Sequence, residues 1–160
     1  MIKTLFPLTA ALLSLSFAFP TASPALDDDA QAVHGAVEDY LLALYEAQPD
    51  LIERSVHKDL RKTGFGRWGD MQEYKSMPMT YEQLHKLAGT WNANGSKVTD
   101  ESPRKIEVLD VLDKTACAKL TAQWGIDYFH LAKYGDSWKI INVLWQSHPP
   151  TKVAEGSYDK

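Results

Sequence analysis

Trp124-Gly125-Ile126-Asp127-Tyr128-Phe129-His130-Leu131-Ala132-Lys133, then Tyr134-Gly135-Asp136-Ser137, then Trp138-Lys139-Ile140-Ile141-Asn142-Val143-Leu144-Trp145 is the stretch whose reading decides the fold. Two runs rich in β-branched and aromatic residues flank a Gly-Asp turn, which predicts an antiparallel hairpin. Side chains alternate across a strand, so Asp127, Phe129 and Leu131 share one face and Tyr128 and His130 the other. Working back, Ala116–Ala122 and Ile106-Glu107-Val108 also read as strands, with a turn at Asp113-Lys114. The link Gln123–Ile126 fits a tight turn at Trp124-Gly125 or a bulge in one long bent strand.

Before residue 104 the period changes. Val33, Val37, Tyr40, Leu41 and Leu44 recur at spacings of three and four, which predicts an amphipathic helix over 29–47. Asp28 with Gln31 offers it a capping box. Pro49 suits the first turn of a shorter helix carrying Leu51, Ile52 and Val56 inward. Thr80-Tyr81-Glu82-Gln83 is a second capping box, opening a helix that carries Leu84, Leu87, Ala88 and Trp91 and stops at Asn92-Ala93-Asn94-Gly95. Between them, residues 61–79 read as a two-stranded excursion turning at Trp68-Gly69-Asp70, with Phe65, Trp68, Met71, Tyr74, Met77 and Met79 as bulk for a hairpin or for a flat ligand. Helices first and a sheet last predict an α+β class: N-terminal helices on a strongly curved antiparallel sheet, a cone-shaped half-barrel with a pocket.

The chain has 160 residues, a length suited to one domain. Lys3 followed by the apolar run Leu5–Phe19, with Ser23-Pro24-Ala25 placing small residues before Leu26, reads as a signal peptide over 1–25. At about fifteen residues the run falls short of the ~20 that span a bilayer, so no stable membrane insertion follows its removal. Export to the periplasm or outside the cell is the expectation, with a domain over 26–150 and a flexible tail over 151–160. Removing Lys3 leaves 16 basic against 21 acidic residues, a net charge of −5. Such a domain lacks the basic face that nucleic-acid phosphates require. Cys117 is the only cysteine, so no intrachain disulfide forms. No His-x-His or His-Glu-x-x-His spacing occurs, so no metal is expected. No cofactor is expected either.

The closing strands Trp124–Lys133 and Trp138–Trp145, the front helices joined through Tyr45-Glu46-Ala47-Gln48-Pro49-Asp50, and the opening Thr80–Leu87 together resemble the nuclear transport factor 2-like superfamily. Within it they are most similar to bacterial lumazine-binding-type and polyketide-cyclase-like proteins. The resemblance spans about 31–148. It implies the cone-shaped fold and frequent homodimers, and it leaves the activity open, because the superfamily hosts isomerases, cyclases, dehydratases and non-catalytic binders.

Proton-transfer chemistry in such a cavity needs a carboxylate or imidazole beside an oxyanion donor. The candidates are Asp127, His57 and His130 as base and Tyr128 as donor. Alternation sets Asp127 and His130 on opposite faces, which argues against a ready dyad. Asp127 also reads as a strand-end carboxylate tying down a backbone N–H or a Trp indole, and His57 as a loop histidine. A ligand pocket is expected from Tyr40, Leu44, Trp68, Asp127, Asn142 and Trp145, with Trp124 in the apolar wall. The leading expectation is therefore a non-catalytic domain binding an apolar or planar small molecule. An isomerase, dehydratase or cyclase using the same cavity is the alternative, and a structural dimerisation domain with a filled cavity the third reading.

Overall fold

The amphipathic stripe of the first helix and the alternation of the last strands meet in one core. The computed structural model describes residues 24–149. In chain order these form α1 (Pro24–Tyr45), α2 (Asp50–Ser55), β1 (Val56–Gly66), β2 (Lys75–Met79), α3 (Tyr81–Ala88), β3 (Lys105–Val111), β4 (Thr115–Ala122), β5 (Gly125–Tyr134) and β6 (Ser137–Gln146). Residues 1–23 and 150–160 lie outside the described residues, and with them most of the expected signal peptide over 1–25 and the expected flexible tail over 151–160. Since α1 begins at Pro24, the cut expected before Leu26 falls within its first turn.

The strands make one six-stranded sheet in the order β2-β1-β6-β5-β4-β3. The class is α+β as expected, but the sheet is mixed rather than wholly antiparallel, because β1 runs parallel to β6. The reason is chain direction. Tight hairpins fix β3 to β6 as an antiparallel meander, whereas β1 continues straight out of α2 and docks on the open edge of β6 in the direction that helix gives it. β2 and β3 stand at opposite edges, so the sheet is open.

Val33, Val37, Tyr40, Leu41 and Leu44 of α1 are all buried, against Leu120, Phe129, Leu131, Ile140 and Val143 of the sheet. At about 1.5–3 kcal/mol for each large apolar side chain withdrawn from water, this layer outweighs any helix propensity. The Tyr40 ring meets Phe129 edge-on with centroids 5.1 Å apart. Leu44 lies buried in this core and lines neither of the two hollows described below.

The Thr80–Gln83 capping box forms, with both reciprocal bonds present. The one expected at Asp28 does not, because α1 starts four residues earlier. Asp29 instead accepts hydrogen bonds from Lys133 Nζ at 2.6 Å and Trp138 Nε1 at 2.9 Å, pinning the start of α1 to the β5–β6 hairpin. The link at Trp124-Gly125 is the tight turn, with Ala122 paired to Gly125 across two residues. α3 ends at Ala88 rather than Trp91. Asn92 then bolts the following loop to α1, donating to the Tyr45 carbonyl at 2.7 Å and accepting from the Lys97 N–H at 2.8 Å. Among the described residues no helix is long and apolar enough to cross a membrane.

Candidate functional site

Three loops bring indoles to one end of the sheet. Trp68 comes from the β1–β2 connection, Trp91 from the segment after α3 and Trp124 from the β4–β5 turn. With Ser96, Lys97 and Gln123 they line a cleft of about 510 Å³. Trp91 is held between Tyr45, stacked at 6.1 Å, and Trp124, edge-on at 5.3 Å. Tyr45 fixes the turn below, accepting from the Gln123 N–H at 2.8 Å and donating to the Pro103 carbonyl at 2.7 Å. The Lys97 ammonium lies 5.7 Å from the Trp91 ring centre. A second, smaller hollow of about 290 Å³ lies elsewhere, against Ala30, Gln31, His34 and Val108, and has no aromatic wall.

Behind the cleft sits a buried polar cluster. The Trp124 indole donates to Asp127 Oδ2 at 2.5 Å. Asp127 is 0 % exposed and Lys62 6 %, and Lys62 Nζ stands 3.4 Å from Asp127 Oδ1. Lys62 also donates to Tyr40 Oη at 2.7 Å, and Tyr40 in turn donates to Asp127 Oδ1 at 3.4 Å. Burial, the dominant influence on all three, favours the uncharged forms: it raises the Asp127 carboxyl, lowers the Lys62 ammonium and pushes the Tyr40 phenol well above its ordinary value. Mutual attraction and hydrogen bonding between Lys62 and Asp127 oppose those shifts. The result is a tied knot of three groups, keyed through Trp124 to the cleft wall.

The other candidate residues lie elsewhere. Tyr128 is 49 % exposed on the face of the sheet turned away from α1, and His130 is exposed on that same face. Asn142, paired opposite His130, donates to the Arg61 carbonyl at 2.9 Å. His57 is the second residue of β1 rather than part of a loop, and it stacks on Tyr134 at 4.6 Å. The structure therefore does not bring Asp127, His57, His130 and Tyr128 together. Of the expected pocket residues, Trp68 lines the cleft, Tyr40 and Asp127 join the buried cluster and Trp145 lies behind Trp68, tilted to it with ring centroids 6.0 Å apart. Among the described residues no group of three His, Cys, Asp or Glu side chains could hold a metal ion.

Lys62 and Trp91 escape the sequence reading, as do the rim residues Ser96, Lys97 and Gln123. Lys62 falls on the inward parity of β1 with Leu60, Gly64 and Gly66, but a lysine followed on that face by two glycines carries no apolar period. Trp91 reads as a helix position until the helix is seen to end before it.

The arrangement offers stacking surfaces with a polar rim of Lys97, Gln123 and Ser96, which suits a flat apolar ring with a polar edge. Comparison with known proteins agrees on the fold. A nuclear transport factor 2-like protein of unknown function from Methylobacillus flagellatus KT is 23% identical, with 76% of this chain and 94% of that chain covered at a TM-score of 0.56. One from Shewanella baltica OS155 is 16% identical, covering 81% and 99% at 0.56. One from Silicibacter pomeroyi DSS-3 is 12% identical, covering 76% and 98% at 0.56. At those identities the likeness carries the fold alone. No curated protein matches the chain. The fold is the nuclear transport factor 2-like one; the model of the family described as "Putative lumazine-binding" matches residues 28–146, and the chain belongs to that family.

Proposed function

We propose that this is an exported binding domain that takes a flat, largely apolar small molecule in the cleft between Trp68, Trp91 and Trp124, without chemistry of its own. One observation carries the reading: three indoles from three separate loops line one open cleft. A purely structural end of a sheet needs no such convergence of exposed aromatic surface. The binding rather than catalytic character is supported by the cluster behind it, where Asp127, Lys62 and Tyr40 are tied to one another and none faces a free partner. The register shifts in β3–β4 and β5–β6 bend a sheet locally and support a curved, cone-like wall around the cleft. Export rests on the leader-like residues 1–25. Cell fractionation should then find the protein outside the cytoplasm, and a cytoplasmic pool would refute that part.

A panel of planar aromatic and steroid-like compounds, screened by thermal shift, tests the cleft. A true ligand stabilises progressively, by about 2.7 kcal/mol at a hundred times its Kd. Trp91→Ala should weaken that ligand by ~0.5–1.5 kcal/mol, the worth of one aromatic contact, on top of a lower unliganded melting temperature from the lost packing on Tyr45 and Trp124. A panel that leaves the melting temperature unmoved at every concentration defeats the proposal.

Homodimerisation through the outer sheet face belongs to the same proposal. Phe65, Tyr128 and Leu144 are exposed there, and Tyr128 and Leu144 are direct cross-strand neighbours. Light scattering should give twice the chain mass, reduced to the monomer by Tyr128→Asp with Leu144→Asp. A second reading, a structural dimerisation domain, is favoured by the filling of the space between Tyr40, Trp68 and Trp145. Lys62 Nζ lies 5.4 Å from both the Tyr40 and the Trp145 ring centres. Dimerisation with no ligand response would select it.

A further inference from the structure

Lys62, Gly64 and Gly66 follow one another on the inward face of β1. Neither glycine has the positive φ that calls for the residue on backbone grounds. What they supply is space. A Cβ on Gly64 would stand 1.9 Å from the Trp145 ring, and one on Gly66 would stand 2.1 Å from the Trp68 ring. Both indoles thus lie against bare backbone, 6.0 Å apart and tilted by 34°. They differ in one respect: Trp145 is 7 % exposed, whereas Trp68 is 48 % exposed. Trp145 Nε1 is buried and has no acceptor. A donor left in that state costs about 1–3 kcal/mol, which a partner would recover.

Trp68 is also placed to leave. Arg67 before it is fixed, its N–H donating to Ser147 Oγ at 3.0 Å and its carbonyl accepting from the same hydroxyl at 3.2 Å. Gly69 after it has a φ of +55°, a turn point at which the chain direction changes. On the inner side the shelf ends at Lys62, which Tyr40 and Asp127 hold in place.

We propose that Trp68 fills, with its own indole, a slot built for a flat ring bearing an oxygen acceptor on its edge. Such a ring displaces Trp68, lies over Gly66 beside the Trp145 indole that covers Gly64, and accepts the unpartnered Trp145 Nε1–H. The inference rests on the cleft reading and deepens it by naming the polar contact the ligand makes.

The test uses a matched pair, 9-fluorenone and fluorene, which differ in one ring carbonyl. Binding to the wild-type chain, Trp68→Ala and Trp145→Phe is titrated. Removing the self-occupant should tighten 9-fluorenone about tenfold, since the competent state no longer has to be freed. Trp68→Ala should prefer 9-fluorenone over fluorene several-fold, and Trp145→Phe should abolish that preference while still binding fluorene. Should Trp145→Phe fail to fold, the assigned Trp145 indole N–H signal in Trp68→Ala must shift with 9-fluorenone and not with fluorene. Planar compounds that bind the wild type but bind Trp68→Ala more weakly, or that bind it without regard to the carbonyl, overturn the slot and leave the cleft standing. Failure of both compounds to bind either chain overturns both.

Discussion

Lys62→Met is expected to lower the unfolding free energy by about 3–5 kcal/mol at neutral pH, measured by denaturant titration, because it leaves the fully buried Asp127 carboxylate without its cation. The Trp124 indole and the Tyr40 hydroxyl remain as donors, but dipoles do not replace a charge at low dielectric. Asp127→Asn should cost a similar amount for the mirror reason, stranding the Lys62 ammonium beside a phenol. The two deficits respond oppositely to pH. A carboxyl whose folded value lies above its unfolded value near 3.8 binds more protons when folded. Stability then climbs as pH falls between the two values. Without Lys62 the folded value rises further, so the Lys62→Met deficit should shrink from pH 7 toward about pH 4. An ammonium whose folded value lies below 10.5 binds fewer protons when folded. Stability then climbs as pH rises through that window, and the Asp127→Asn deficit should shrink on alkalinisation. Lys62→Met combined with Asp127→Asn should cost less than the two singles together, by about 0.5–3 kcal/mol of coupling. Strict additivity, or deficits flat with pH, would show that the pair is not an ion pair at all.

That cluster also shows how far the sequence could be read. The alternation of β5 placed Asp127, Phe129 and Leu131 together, and all three are buried, while Tyr128 and His130 face outward. The α1 stripe and the Thr80–Gln83 box were equally plain, since each is a local pattern with a fixed period or spacing. β1 was not. Its inward positions beyond Leu60 are Lys62, Gly64 and Gly66, so the apolar alternation that marks a strand is absent where the strand is most buried. Its parallel pairing with β6 is likewise a long-range choice, made between segments some eighty residues apart, for which no local pattern exists. The cleft follows the same rule. Trp68, Trp91 and Trp124 are conspicuous singly, but their convergence depends on where three loops end.

The other large effect belongs to the turn that carries Trp124. Gly125 has a φ of +148°, and a Cβ there would stand 2.0 Å from the Gln146 carbonyl oxygen and 2.8 Å from Ser147 Cα. Both obstacles are backbone and cannot rotate aside. Gly125→Ala must therefore strain its own φ and push the β5 start away from the β6 end, for a loss of about 3 kcal/mol or more. The loss should be local in its consequences, because Ala122, Trp124 and Asp127 all hang on the same two-residue turn. Pulling the turn outward withdraws the Trp124 indole from Asp127, so the substitution should blunt ligand binding in the cleft as well as stability. Gly64→Ala is the informative comparison: the atoms nearest its new methyl all belong to the Trp145 side chain rather than to backbone. It should cost about 1–3 kcal/mol, less than Gly125→Ala, in the same denaturant titration. If Gly125→Ala proved the milder of the two, the turn would have freedom to yield, and the Trp124–Asp127 bond would not be what holds the cleft wall.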